Sequence, residues 1–181
     1  MAMSAGMQRT PQAAWIGLGA NLGDAQGALR AAVRSIVALP RTHLLQLSSL
    51  YRSAPVDAGG PDYLNAVAVV ETRLAALELL DALQAIELAA GRERPYRNAP
   101  RTLDLDLLRF GDLQMQTGRL TLPHPRMLER AFVLRPMAEL AGSGVTPEQL
   151  GGVADQRIER MAPPQAWCEG LPGLEQGREV R

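Results

Sequence analysis

The sequence predicts an α+β fold of the ferredoxin-like split βαβ type, a sandwich in which helices pack on a mainly antiparallel sheet. Three observations predict it. The elements run strand–helix–strand–strand–helix–strand. Residues 103–108 alternate Leu103, Leu105 and Leu107 with Asp104 and Asp106, the period of two that gives a strand one apolar and one acidic face. Leu29, Ala32, Val33, Ile36 and Val37 recur at the helical period and form one buried stripe.

Taken in order, residues 13–18 are an apolar first strand, and the glycine-rich stretch 17–23 reads as a tight turn into a helix. That stretch nearly matches a dinucleotide fingerprint, but its last glycine falls one residue late. Asp24 caps the helix that Pro40 ends. Residues 44–51 form a strand. Residues 52–62 hold Pro55, Gly59, Gly60 and Pro61 and form a loop long enough to suggest function. Residues 63–71 are a further strand. Residues 75–90 are a helix with Leu79, Leu80, Leu83 and Ile86 inward and Gly91 past its end. A loop with Arg92, Arg94, Arg97 and Arg101 leads into the acidic strand. A short strand at 120–122, a Pro123-His124-Pro125 turn, a helix at 130–140 interrupted by Pro136 and a short helix at 147–150 follow. The expected organisation is one domain over residues 12–163, with loose tails at 1–11 and 164–181.

Composition removes several functions. All 19 basic residues are arginine, so Walker A, kinase-strand and Schiff-base lysines are excluded. They balance 19 acidic residues, and zero net charge argues against a general nucleic-acid binder. Cys168 is the sole cysteine and forms no internal disulfide. No apolar run approaches the ~20 residues of a membrane span, and residues 1–11 hold no signal-peptide core, so a cytoplasmic location is expected.

The acidic strand is the chemical signal. Carboxylates two residues apart on a strand point the same way, with Cα atoms roughly 6.5–7 Å apart. Their repulsion is relieved by a hard cation such as Mg²⁺, which prefers oxygen ligands. Arg101 just ahead of them offers bidentate phosphate recognition. Tyr63, Asn65, Val67 and Val69 share one strand face. Tyr63 and Asn65 either read a flat heterocycle by stacking and hydrogen bonding, or belong to an edge strand with a half-buried tyrosine. Gln84 and Glu87 are one helical step apart and, on their own, read as a solvated face. His124 reads alone as a surface histidine, and His43 as structural.

Taken together, segments 17–23, 49–56, 61–66, 84–94, 100–108 and 120–132 resemble the 6-hydroxymethyl-7,8-dihydropterin pyrophosphokinase family of folate biosynthesis. The run Pro100-Arg101-Thr102-Leu103-Asp104-Leu105-Asp106 is highly specific for it. The resemblance implies transfer of a diphosphate from the co-substrate ATP to the pterin hydroxymethyl group, with AMP released. By position it implies that Asp104 and Asp106 hold two Mg²⁺ ions, and that Tyr63 and Phe132 sandwich the pterin. Asn65, with backbone groups at Ser53 and Val56, would bind the ring edge. Gln84, Glu87, Arg92, Arg94, Leu107, Arg119, Thr121, His124 and Arg130 would contact ATP or close over it, with Arg92 and Arg101 at the transferring phosphates. Loops near 17–24, 52–62 and 91–101 would close and exclude water.

The chain departs from the family at Asn98, where many members have tryptophan, at Pro125 in place of a tyrosine, and at Ser53-Ala54 in place of Thr-Pro. The expected partners are small molecules only, with no nucleic acid and no membrane, and the expected state is a monomer. Two other functions are compatible with parts of the pattern: a nucleotidyltransferase releasing pyrophosphate, and an RNA-recognition module, which paired aromatics and a basic sheet face would mark.

Overall fold

The computed structural model describes residues 9–55, 59–91, 103–172 and 174. The elements are β1 (Gln12–Ala20), α1 (Ala25–Val37), β2 (Thr42–Leu47), β3 (Leu50–Ser53), β4 (Tyr63–Thr72), α2 (Ala76–Ala89), β5 (Asp104–Phe110), β6 (Met115–Gln116) and β7 (Thr121–Leu122). After a 3-10 turn at Met127–Glu129 come α3 (Ala131–Ala138), α4 (Pro147–Gly152), β8 (Ile158–Ala162) and α5 (Pro164–Trp167). The main sheet has six strands in the order β5-β1-β4-β3-β8, with β2 also on β4, and every pairing is antiparallel. The predicted α+β fold is therefore present, with its two long central strands β1 and β4 side by side.

Alternation along the strands divides the core in two. Ala14, Ile16, Leu18, Ala66, Ala68, Leu105 and Leu107 face α1 and α2 and pack with Leu29, Val33, Ile36, Leu79 and Leu83. Trp15, Val67, Val69 and Leu108 face the other way and pack with Val133 and Met137 of α3. A 13-residue helix such as α1 is marginal alone, so its buried stripe, about 1.5–3 kcal/mol for each large side chain, holds it in place. Asp24 caps α1 as predicted, its Oδ1 accepting from Gly27 N at 2.9 Å. In α2, Glu78 reaches back to accept from Ala75 N at 2.7 Å, and Gly91 follows the helix with φ of +83°.

Three expectations need correction. The glycine-rich stretch is not a turn at its start: β1 runs to Ala20, so Gly17 and Gly19 are strand residues, and a closing loop can begin only after Ala20. The single strand expected at 44–51 is two, β2 and β3. Ser48 divides them, its Oγ accepting from Val67 N at 2.9 Å while donating to Ser49 O at 2.8 Å. The tail does not loosen at position 164 either. Trp167 and Cys168 are fully buried and Leu171 nearly so, all in the core under α1 and α2. Trp167 Nε1 donates to Ser48 O at 3.0 Å, and its own carbonyl accepts from Arg30 Nε at 3.1 Å. A large apolar ring late in a polar stretch found a partner that local composition did not reveal.

Candidate active site

The site begins with a row across the sheet. Asp104 pairs with Gly19 on β1, and Gly19 pairs in turn with Asn65 on β4. One step along, Asp106 pairs with Gly17, and Gly17 with Val67. Paired residues share a face, so both aspartates, both glycines and Asn65 lie on the α3 side of the sheet. The glycines put no side chain between Asn65 and the acidic pair, and they form the floor of a trough. A Cβ at Gly19 would stand 3.4 Å from Asn65 Oδ1.

Above this floor is a cleft of about 310 Å³ lined by Ser53, Tyr63, Asn65, Arg130 and Phe132 together with Asp104 and Asp106. Asn65 is 4% exposed, and its Nδ2 donates to Ser53 Oγ at 2.7 Å, which sets the orientation of the carboxamide. Tyr63 and Phe132 are half-buried walls of the same cleft. The Arg130 guanidinium lies 5.4 Å from the Phe132 ring centroid and 4.0 Å from Asp106 Oδ2.

A second cleft of about 320 Å³ lies around β5, an edge strand of the sheet, and is lined by Gln84, Glu87, Leu107, Arg119, Thr121 and His124. Asp104 and Asp106 line it too. The acidic pair is thus the junction of two clefts. All the predicted site residues among the described ones line one cleft or the other. Val56, Arg92, Arg94 and Arg101 lie outside the described residues, as do Arg97 and Asn98.

Two residues of the second cleft differ from their local sequence reading. Glu87 belongs to no solvated face: it is 3% exposed, and its Oε1 accepts from Leu105 N at 2.8 Å. It ties α2 to the acidic strand and takes a backbone donor that would otherwise be buried beside an apolar core. His124 is half-buried, and its Nδ1 accepts from Arg126 N at 3.2 Å. Burial, followed by the charges of Arg130 and Arg126, holds its pKa below the usual histidine value against an opposing pull from Asp104. Arg119 is exposed and ion-paired with Asp81 of α2. Cys168 is buried, and burial pushes its thiol pKa up, as befits an inert core thiol. The residues that sequence reasoning missed are Gly17 and Gly19, whose role appears only once their cross-strand partners are known, and Gln156 at the rim of the first cleft.

Two clefts that meet at a carboxylate pair offer room for two substrates side by side, and an α+β sandwich carries them. The chain belongs to the 7,8-dihydro-6-hydroxymethylpterin-pyrophosphokinase (HPPK) family, whose model matches residues 15–142. It is 44% identical over 157 residues to the 2-amino-4-hydroxy-6-hydroxymethyldihydropteridine pyrophosphokinase of Pseudomonas aeruginosa, covering 83% of this chain and 97% of that one. The enzyme of the same name from Haemophilus influenzae is 43% identical over 157 residues, covering 83% and 98%. That from Bacillus subtilis is 41% identical over 149 residues, covering 82% and 89%. Among solved structures, a triple mutant of Plasmodium falciparum HPPK-DHPS with STZ-DHP superposes with a TM-score of 0.61 over 78% of this chain, at 13% identity. The match covers 42% of that longer chain, and at this identity it speaks for the fold alone.

Proposed function

We propose that this protein transfers a diphosphate from ATP to 6-hydroxymethyl-7,8-dihydropterin in folate biosynthesis, releasing AMP. The carrying observation is that Asp104 and Asp106 line both clefts, one walled by Tyr63, Phe132 and Asn65 and the other by Gln84, Arg119, Thr121 and His124. The pterin hydroxymethyl oxygen forms a bond to the β-phosphorus, the bond from that phosphorus to the α,β-bridging oxygen breaks, and the hydroxyl proton is released.

In this reading Tyr63 and Phe132 take the two faces of the pterin, and Asn65, oriented by Ser53, pairs with its amide-like edge. The Val56 backbone would complete that edge, as the family resemblance implies. Gln84, Glu87, Leu107, Arg119, Thr121 and His124 form the nucleotide side. Arg130 lies beside Asp106, where charge on the phosphates must be balanced. The roles of Arg92, Arg94 and Arg101 at the phosphates rest on the resemblance. Asp104 and Asp106 would hold magnesium, two ions in the family pattern. The donor set fits: Asp104 and Asp106 present hard carboxylate oxygens to both clefts. A carboxylate pair completed by phosphate and water oxygens suits Mg²⁺. Bound there, the metal would neutralise phosphate charge and orient the reacting oxygens. One chain supplies both clefts, which supports action as a monomer.

The test is a mixture of protein, MgATP and 6-hydroxymethyl-7,8-dihydropterin with products resolved by chromatography. AMP formed only when the pterin is present is the expected result. Pyrophosphate in place of AMP would establish nucleotidyl transfer instead, and intact ATP would refute both.

A further inference from the structure

We propose that Gln156 is a positioning residue that sets Arg130 and Phe132 for the acceptor, an inference that rests on the function proposed above. Gln156 lies in the turn between α4 and β8, beyond residue 142 where the family match ends, and it lines the first cleft. Its carboxamide makes two hydrogen bonds to the chain at the start of α3. Oε1 accepts from Ala131 N at 2.8 Å, and Nε2 donates to Glu129 O at 2.7 Å. The two bonded groups flank Arg130, so one side chain holds the backbone of Arg130 from both sides.

α3 needs this help. The first amides of a helix have no partner within it, and a side-chain oxygen at the N-cap position ordinarily supplies one. Here the N-cap is Arg130, with φ of −123° and ψ of 115°, and its guanidinium has no acceptor to offer. Gln156 caps the helix from a distant part of the chain. Its own backbone is anchored, with N donating to Val153 O at 3.1 Å, and Val153 is buried against Ala131 and Leu134. The result is a fixed start for the helix whose first turn carries Phe132, with Arg130 held at 4.0 Å from Asp106. Nothing in the local sequence around Gln156 suggests this, because the partner lies 25 residues away.

Gln156→Met keeps the length and volume of the side chain and removes both hydrogen bonds, and Gln156→Ala removes the side chain. Three readouts separate positioning from a purely structural role: calorimetric binding of the unreactive oxidised 6-hydroxymethylpterin, steady-state KM and kcat, and the exchange rate of the Ala131 amide. In both variants the pterin Kd and KM should rise about tenfold, the scale of one or two lost hydrogen bonds, with a smaller fall in kcat as Arg130 loosens beside Asp106. Exchange at Ala131 should accelerate. Unchanged Kd and KM in Gln156→Met would overturn the proposal, even if its thermal midpoint fell, because the residue would then be structural only. A wild-type protein that binds no pterin would overturn the functional reading, and this inference with it. A wild type that binds, beside a Gln156→Met variant that binds equally, would overturn the inference alone.

Discussion

Asn65 and Asp104 occupy one row of the sheet, each paired with Gly19 between them. The residue proposed to read the heterocycle and the residue proposed to meet the phosphates are thus separated by the width of a single strand that carries no side chain there. This would place the two proposed substrates next to each other across one strand.

The glycine between them is therefore expected to be sensitive to size. Gly19 is in regular strand conformation, so Gly19→Ala should leave the thermal midpoint near its original value. Its Cβ would meet Asn65 Oδ1 at 3.4 Å. Pterin affinity should fall about three- to tenfold, and with Gly19→Val by roughly a hundredfold, as the larger side chain fills the trough. Calorimetric titration measures both. Equal affinity in the valine variant would show that the ring does not lie over this strand.

The acidic pair should matter for turnover and hardly at all for folding. Asp104→Asn and Asp106→Asn should each lower kcat by roughly a hundredfold or more, with urea-unfolding midpoints preserved. Because two carboxylates are few ligands, Mg²⁺ should bind weakly to the protein alone and tightly only with nucleotide present. Near-normal turnover in either variant, followed by the release of AMP, would remove the metal assignment.

The C-terminal segment should be indispensable to stability. Trp167→Ala removes a fully buried ring and its hydrogen bond to Ser48, for an expected loss of about 3–5 kcal/mol. Truncation after Pro163 should cost at least as much. Chemical denaturation of the three proteins decides it. Midpoints that coincide would mean that residues from 164 onward contribute nothing to the core.

His124 yields a pH signature in the metal-free protein. Its folded pKa is depressed below the ordinary value of 6.5, so below that pH the unfolded chain binds more protons than the folded one. Its contribution to stability is present above pH 6.5 and is lost as pH falls towards the folded pKa. Proton NMR, with the signal assigned by His124→Asn, should show a midpoint below 6.5. A midpoint at or above that value would contradict the burial and the arginine neighbours described here.

The sequence by itself determined the strands and helices with strong periodicity, the cap at Asp24, and the two-residue spacing that puts Asp104 and Asp106 on one face. These are local properties, written in neighbours two to four positions apart. It also carried the motifs that identify the family. Tertiary structure alone decided that the glycines at 17 and 19 are a strand floor, since that depends on Asn65 and Asp104 standing opposite them. It decided that Glu87 is buried on the Leu105 amide, that Trp167 closes the core, and that Gln156 caps a helix begun 25 residues earlier. Each of these is a contact between segments distant in the chain, and its free energy depends on which partner the fold brings near. Composition around any one residue does not record that partner.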